Sequence, residues 1–401
     1  MNQWLLILFS IFISISVRYF INTKPTLYKL PPSPQSIPVI SNLLQLLRIS
    51  PSDIHSNLNS LHAKLGPIIT IYSGSRPVIF IAGRFLAHKA LVQNGAMFAN
   101  RPPASATQKI VSSNQRLVSL AFYGPTWRLL RRNLTENFLH PSRAKCFSLS
   151  RRWVLQILLN RLESQEKSGQ PICVKEHFQY AMFCLLVVMC FGDNVDETQI
   201  KQIEEVQRRA FLSFNKFIIL NLWPRMTRIV LRRHHHVASY VDTLLGLELP
   251  DENKKLNEVE IANLCSEFLN AGTDTTTTAL EWIMANLVKY PKIQDKLFTE
   301  IKGVVGDGDR EEVSESDLKR LPYLKAVILE GLRRHPPARL LAPHAAREDV
   351  VLAMLHLEYY VANLIWKFEW KAVDGDDVDL SEKAERLMVM KTPLQVHLSP
   401  R

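Results

Sequence analysis

After Cys265 the chain has no cysteine, so its last 136 residues offer no thiolate to a metal. The other four, Cys146, Cys173, Cys184 and Cys190, are scattered without a CxxC pair or any regular spacing. That excludes a zinc ribbon and a disulfide framework, and it fits a reducing compartment. All five are expected as small buried apolar side chains. Internal repeats and low-complexity tracts are also missing, which sets aside solenoids and disordered arrays. No Lys or Arg precedes the first apolar run, and this weighs against a cleaved secretory signal, for which Ser14-Ile15-Ser16 is a faint small-x-small site.

What is present is size and apolar content. A chain of 401 residues with 47% apolar composition can bury one large core or two smaller ones. The run Trp4 to Val17 is uncharged, and with Tyr19, Phe20 and Ile21 it extends over about 18 residues, roughly 27 Å as a helix, enough to cross a thin bilayer. Arg18, Lys24 and Lys29 follow it, which places the bulk of the chain on the cytosolic side. The formal charge of +11 comes from basic residues spread along helices, without stacking aromatics or a groove-reading motif. A nucleic-acid partner is therefore not expected, whereas an anionic membrane surface or an acidic partner protein is.

The expected organisation is an anchor over residues 1–22, a Pro-rich hinge over 23–40 and one domain over 41–401. Pro31, Pro32, Pro34 and Pro38 stiffen the hinge. Two β-rich runs, Ile68 to Tyr72 and Val78 to Ile81, flank Ser73-Gly74-Ser75-Arg76-Pro77 and predict a hairpin. Most of the chain from Arg84 to Arg334 has helical period. The longest helix is predicted to start at Asn257, with Glu260 completing a capping box, and to end before Pro291. Another is predicted from about Ser316 to Arg334, stopped by Pro336-Pro337, with an extended segment Leu340 to His344 beyond.

Three constellations carry possible chemistry. Ala271-Gly272-Thr273-Asp274-Thr275-Thr276 is poor helix-forming material inside a long helix. It reads as a widened turn holding a small ligand beside a carboxylate and a hydroxyl, or as a Thr-rich solvated face. Glu330 and Arg333 share a helix face at i,i+3 and can pair. Trp127 and Arg131, one turn apart, point an indole N–H and a guanidinium the same way and can hold a carboxylate pair, or simply pack at the surface.

In this order, the apolar anchor, proline hinge, hairpin, WxxxR, AGTDTT and ExxR before a PP stop resemble a microsomal, plant-type cytochrome P450, a haem-thiolate monooxygenase. The resemblance implies a mainly α fold with a small β region, haem as cofactor, and electrons from NADPH through a membrane-bound flavoprotein reductase. It implies insertion of one oxygen atom from O₂ into a lipophilic small molecule at the endoplasmic reticulum membrane. Trp127, Arg131 and His344 match haem-propionate contacts, and Ala271 with Gly272 matches the oxygen-binding groove. Asp274 and Thr275 match the proton-delivering acid and alcohol, and Glu330 with Arg333 matches a buried structural pair.

The chain also departs from the family. The Phe-x-x-Gly-x-Arg-x-Cys-x-Gly ligand loop and its preceding meander are missing; Arg347-Glu348-Asp349-Val350 runs straight into Val351-Leu352-Ala353-Met354-Leu355-His356. The expectation is an internal deletion near 350–351, leaving the fold incomplete on the proximal haem side and the chain inactive or severely impaired. A skipped exon, a pseudogene or an artefact of gene annotation would each produce it. The alternative from another class is a non-catalytic, membrane-anchored partner that occupies the reductase or pairs with intact relatives, with Arg225, Arg228, Arg232 and Arg233 as its surface. A softer gap is expected near Arg232 to Val237, where His234, His235 and His236 fan apart on a helix and do not converge on a metal. Cys265, ten residues before Thr275, lies on the wrong side of a haem held as in the family; His356 is expected to pack, with an imidazole ligand as its rival reading.

Overall fold

The computed structural model describes residues 30 to 401 apart from 35–53, 74–75, 96, 105–107, 110–111, 193–194, 197, 208–243, 245–246, 251–253, 307–309, 339–349, 374–376 and 386. The expected anchor, the tri-histidine run, the arginine cluster, the Leu340 to His344 segment and His344 itself lie outside the described residues. The chain divides into two compact units, Met1–Phe98 and Ala99–Arg401.

In the first unit, helix α1 (Ile54–Leu65) precedes strands β1 (Ile68–Ser73) and β2 (Arg76–Ile81). The predicted hairpin forms with Ile69 opposite Phe80 and Thr70 opposite Ile79. Ile69 and Thr70 are fully buried, and β1's outer side is held by the proline segment: Thr70 N–H donates to the Pro32 carbonyl at 2.9 Å and its hydroxyl to Pro31 at 3.0 Å. Helix α2 (Arg84–His88) follows and widens into a π turn over Lys89–Gln93.

The second unit is a helical core. Its elements are α3 (Pro125–Leu134), α4 (Pro141–Cys146), α5 (Ser148–Glu166), α6 (Val174–Phe191), α7 (Glu258–Lys289), α8 (Pro291–Val305), α9 (Pro322–Arg334) and α10 (Val350–Lys367). Short strands complete it: β3 (Ile172–Cys173), β4 (Glu248–Leu249), β5 (Lys254–Lys255), β6 (Phe368–Ala372), β7 (Glu382–Ala384), β8 (Met388–Met390) and β9 (Gln395–Pro400). Strand order β3-β9-β6 makes a three-stranded antiparallel sheet, with Ile172 opposite Val396 and Trp370 opposite Leu398.

From Tyr180 to Cys190 helix α6 is apolar on every side, the pattern of a helix buried all round, and fourteen of its eighteen residues are buried. Its length and hydropathy would also suit a membrane span, but most of it is covered by protein. Gly192, at φ 83°, ends it in the left-handed region that a side chain disfavours. Helix α7, 32 residues and about 48 Å long, packs against it. The capping box is formed: Glu260 N–H donates to Asn257 Oδ1 and Asn257 N–H to Glu260 Oε2, each at 2.9 Å. The helices meet closely at Gly272, where a Cβ would stand 2.7 Å from Leu186 Cδ1.

One predicted boundary moves. The helix expected from Ser316 begins at Pro322, because Leu321, which precedes a proline, sits at φ −112° and ψ 68°, outside the helical region. Asp317 organises the turn before it, accepting from Ser314 N–H at 3.0 Å, from the Ser314 hydroxyl at 2.6 Å and from Arg320. Glu300 of α8 accepts from Tyr323 N–H at 2.7 Å and Leu324 N–H at 2.9 Å, placing a carboxylate at the α9 N-terminus where the helix dipole favours one. At its other end His335 stacks on buried Trp282, ring centroids 4.0 Å apart, and Trp282 N–H donates to the Met388 carbonyl at 2.8 Å.

Helix α10 starts at Val350, at the expected 350–351 junction, and the stretch 339–349 that leads into it lies outside the described residues. Its buried face includes Leu357, Tyr360, Val361 and Ile365. Asn363 clasps Val313, accepting its N–H at 2.8 Å and donating to its carbonyl at 3.1 Å. Behind it Arg151 of α5, fully buried, pairs with Glu315 at 2.7 Å through Nε and Nη2.

Candidate functional site

The AGTDTT segment occupies the middle of α7. The widened turn expected there does not form: α7 is α-helical throughout. The Thr275 hydroxyl donates to the Ala271 carbonyl at 2.6 Å, bonding back one turn, and so satisfies the helix instead of opening it. Ala271 is exposed, and Gly272, Asp274 and Thr275 are half-buried. Thr273 and Thr277, one turn apart, are buried, and their hydroxyls lack hydrogen-bond partners among the described residues. Gly272 has a packing reason of its own in the contact with Leu186.

Trp127 and Arg131 stand half-buried on α3, one turn apart as the spacing requires. The indole N–H donates to the Val118 carbonyl at 2.9 Å, so it is engaged within the chain rather than presented to an external carboxylate. Val118 and Ser119 in turn donate their N–H groups to the two Glu267 oxygens, at 2.9 and 2.8 Å. Glu267 lies on α7 one turn before Ala271, and this relay brings α3 to the AGTDTT segment. No sequence motif marked Glu267, because its partners are backbone amides of a loop far upstream. Burial lowers the pKa of Arg101, with the negative charge of Glu267 working against that shift.

Glu330 and Arg333 pair on α9: Arg333 Nε donates to Glu330 Oε2 at 2.6 Å and Nη2 to Oε1 at 2.7 Å. The guanidinium holds the Glu330 carboxyl below its ordinary range. The expected burial is not met, since the two side chains are 53% and 71% exposed. Among the described residues α9 has only Leu324, Ile328 and Gly331 as its buried positions. Next to it a cavity of about 250 Å³, lined mainly by apolar side chains of α7, α8 and α9 such as Ile283, Leu287 and Val327, reaches Glu330. Trp127, Arg131, Ala271 and Thr275 do not line it. Gly331 sets the α7–α9 crossing, as a Cβ there would stand 2.7 Å from Ile283 Cγ1.

The cysteines follow their expectation in part. Cys184, Cys190 and Cys265 are buried and Cys173 is half-buried, but Cys146 is exposed at the end of short α4, its thiol donating to the Ser142 carbonyl. Burial, and then hydrogen bonding with Cys190, pushes the Cys265 thiol far up, so it stays protonated and faces α6. His356 is a packing residue: 3% exposed on α10, with its pKa pushed down to about 3 by burial and by Arg151. Among the described residues no cluster of His, Cys, Asp and Glu is arranged to hold a metal ion.

A family model described as Cytochrome P450 matches residues 31–246 and 237–352. Cytochrome P450 89A9 of Arabidopsis thaliana is 39% identical over 500 residues, covering 98% of this chain and 97% of that protein. Flavonoid 3'-monooxygenase of Arabidopsis thaliana is 29% identical, covering 82% of this chain and 69% of that protein. Psoralen synthase of Ammi majus is also 29% identical, with 87% and 74% covered. Among solved structures, a zebra fish cytochrome P450 with progesterone superposes with a TM-score of 0.69 at 18% identity, covering 88% of this chain and all of that one, a likeness of fold.

Proposed function

Because the chain belongs to the cytochrome P450 family, whose plant relatives are monooxygenases, we propose that it descends from an oxygen-inserting enzyme and does not itself build the haem-thiolate centre. One observation carries this reading: no cysteine follows Cys265, while the alignment with the Arabidopsis thaliana relative runs over 500 positions against 401 residues here. Roughly 100 positions of that relative therefore face no residue of this chain. The family match ending at residue 352, beside the Val350-Val351 junction, supports an internal loss there.

The residues present do not fit a thiolate-ligated haem. Cys265 is a protonated thiol turned to α6, Cys184 and Cys190 lie inside α6, and none of the five cysteines precedes α10 closely. The Trp127 N–H is taken by Val118, and the Glu330–Arg333 pair is partly exposed rather than buried. Trp127, Arg131 and His344 as propionate contacts, Ala271 and Gly272 as groove, and Asp274 with Thr275 as proton donors are the roles an intact homologue would give these positions. The proposed setting is the endoplasmic reticulum membrane, anchored by residues 1–22 and hinged by 23–40, with the domain in the cytosol. There an NADPH-dependent flavoprotein reductase is the electron donor and a lipophilic small molecule the ancestral substrate class.

The test compares two proteins reconstituted with reductase and NADPH: this chain, and the same chain with the relative's Cys-bearing segment inserted between Val350 and Val351. Oxygenation of a lipophilic probe panel is expected from the second alone. Turnover by the unmodified chain overturns the proposal. Sequencing the transcript across these two codons shows whether the loss is carried by the messenger.

A further inference from the structure

Among the described residues the cavity beside Glu330 is lined by none of those matched to haem or oxygen, and all its walls belong to the second unit. Its floor is apolar and closed: Ile283 and Leu287 of α7 line it and are each 1% exposed. Val327 of α9 is half-buried on one wall, while Ile293 and Arg334 stand exposed at the rim. A buried apolar floor beneath an open rim with a few polar groups is the form of a small-molecule site.

The rim is positively charged. Tyr290 and Tyr323 both line the cavity, and each holds a cation on its ring: the Arg334 guanidinium is 5.8 Å from the Tyr290 centroid and Lys296 Nζ is 4.3 Å from that of Tyr323. Among the described residues neither Arg334 nor Lys296 makes a hydrogen bond or an ion pair through its side chain. Glu330 is the one acid in the lining, and both of its oxygens are taken by Arg333, at 2.6 and 2.7 Å. Arg334 feels that charge but keeps its own N–H fork unspent.

Size and charge together select a ligand class. The volume of about 250 Å³ exceeds the ~150 Å³ that takes a benzene ring, and the ~100 Å³ left over is near the volume of three waters, room for a short chain. An unspent guanidinium favours a carboxylate, which it grips through two parallel hydrogen bonds. We propose that the cavity between α7, α8 and α9 binds an aryl-alkyl monocarboxylate, with the ring against Ile283, Leu287 and Val327 and the carboxylate on Arg334. Lys296 adds a second positive charge at the rim. Binding there needs neither haem nor the segment absent near Val350, so it goes beyond the reading of the chain as a former monooxygenase.

The experiment is isothermal titration calorimetry of the full chain in neutral detergent at neutral pH, with hydrocinnamate as the probe, hydrocinnamyl alcohol as its uncharged counterpart and a detergent blank. Saturable binding of the acid with a Kd on the order of 100 µM is expected for a ligand of this size. The alcohol is expected to bind about tenfold more weakly, since it lacks the charge-assisted pair. Arg334→Gln should bring the acid down to the affinity of the alcohol, and Val327→Phe, which fills the cavity, should abolish binding of both. Should Val327→Phe lose the wild-type circular dichroism spectrum, Ala326→Phe, at an exposed position of the same lining, serves the same comparison. No saturable heat from the acid, equal affinity for acid and alcohol, or acid binding unchanged by Arg334→Gln overturns the proposal. Acid binding that survives in a folded cavity-filled variant also overturns it, because the ligand then sits elsewhere.

Discussion

Replacing Gly331 by alanine tests the close crossing of α7 and α9. In an isolated helix the change is favourable by about 1 kcal/mol, because glycine has more backbone freedom to lose. Here the new Cβ would stand 2.7 Å from Ile283 Cγ1 and 3.7 Å from Ile283 Cβ and Cδ1. Ile283 is fully buried and β-branched on a helix, so its χ1 is nearly fixed and Cγ1 cannot swing aside. The helices must separate instead, at an overpacking cost of about 1–3 kcal/mol, and the expected net loss is roughly 1–2 kcal/mol. Gly272→Ala offers an internal contrast: its Cβ meets Leu186 Cδ1 and Cδ2, the far end of a flexible side chain, and the variant is expected within about 1 kcal/mol of wild type. Urea denaturation followed by tryptophan fluorescence measures both, and Ile283→Ala, which removes Cγ1, should recover much of the Gly331→Ala loss in a double-mutant cycle. A Gly331→Ala protein as stable as wild type, or more stable, would refute the close crossing of α7 and α9.

Two further perturbations probe buried charge. For Asp317, burial works to raise the carboxyl, but the Ser314 hydroxyl and N–H, then Arg320 and Arg310, outweigh it and hold the group below 3.8. A depressed folded value gives stability that is present above 3.8 and lost as pH falls through the folded value. Asp317→Asn should therefore cost about 2 kcal/mol near neutrality, with the gap closing in acid, and an equal gap at both pH values would contradict the assignment. His356 behaves in the opposite chemical sense: its folded value of about 3 against an ordinary 6.5 gives stability that is full above 6.5 and lost as pH falls from 6.5 towards 3. His356→Leu should remove up to ~1.4 kcal/mol per pH unit of that acid loss and add roughly 1 kcal/mol at neutrality, since Nε2 is buried without a partner among the described residues. A pH profile unchanged by the substitution would show that His356 titrates normally.

The parts legible in the sequence are those fixed by neighbours along the chain. The hairpin followed from two β-branched runs around a short turn, and the α7 start from Asn257 and Glu260 three residues apart. The start of α9 was misplaced because helical periodicity before Pro322 outweighed the proline's effect on Leu321. What stayed hidden depends on distant segments. Trp127 spends its N–H on Val118, which is tied to Glu267 about 150 residues away, and neither spacing nor residue type announces that relay. The i,i+3 spacing of Glu330 and Arg333 predicted their pairing, which is local, but not their exposure, which depends on what covers α9. The AGTDTT segment was legible as unusual helix material, but Leu186 opposite Gly272 and the back-bonded Thr275 lie beyond what composition encodes.

The central claim, that this polypeptide retains the cytochrome P450 fold without its axial sulfur, is tested most directly by the reduced carbon-monoxide difference spectrum of the purified full chain supplied with haem. No thiolate-type Soret band is expected from the unmodified chain, and the band is expected to appear with the insert of the Arabidopsis thaliana relative between Val350 and Val351. A thiolate-type band from the unmodified chain would contradict it, since it would require one of five cysteines, all at or before Cys265, to reach the iron.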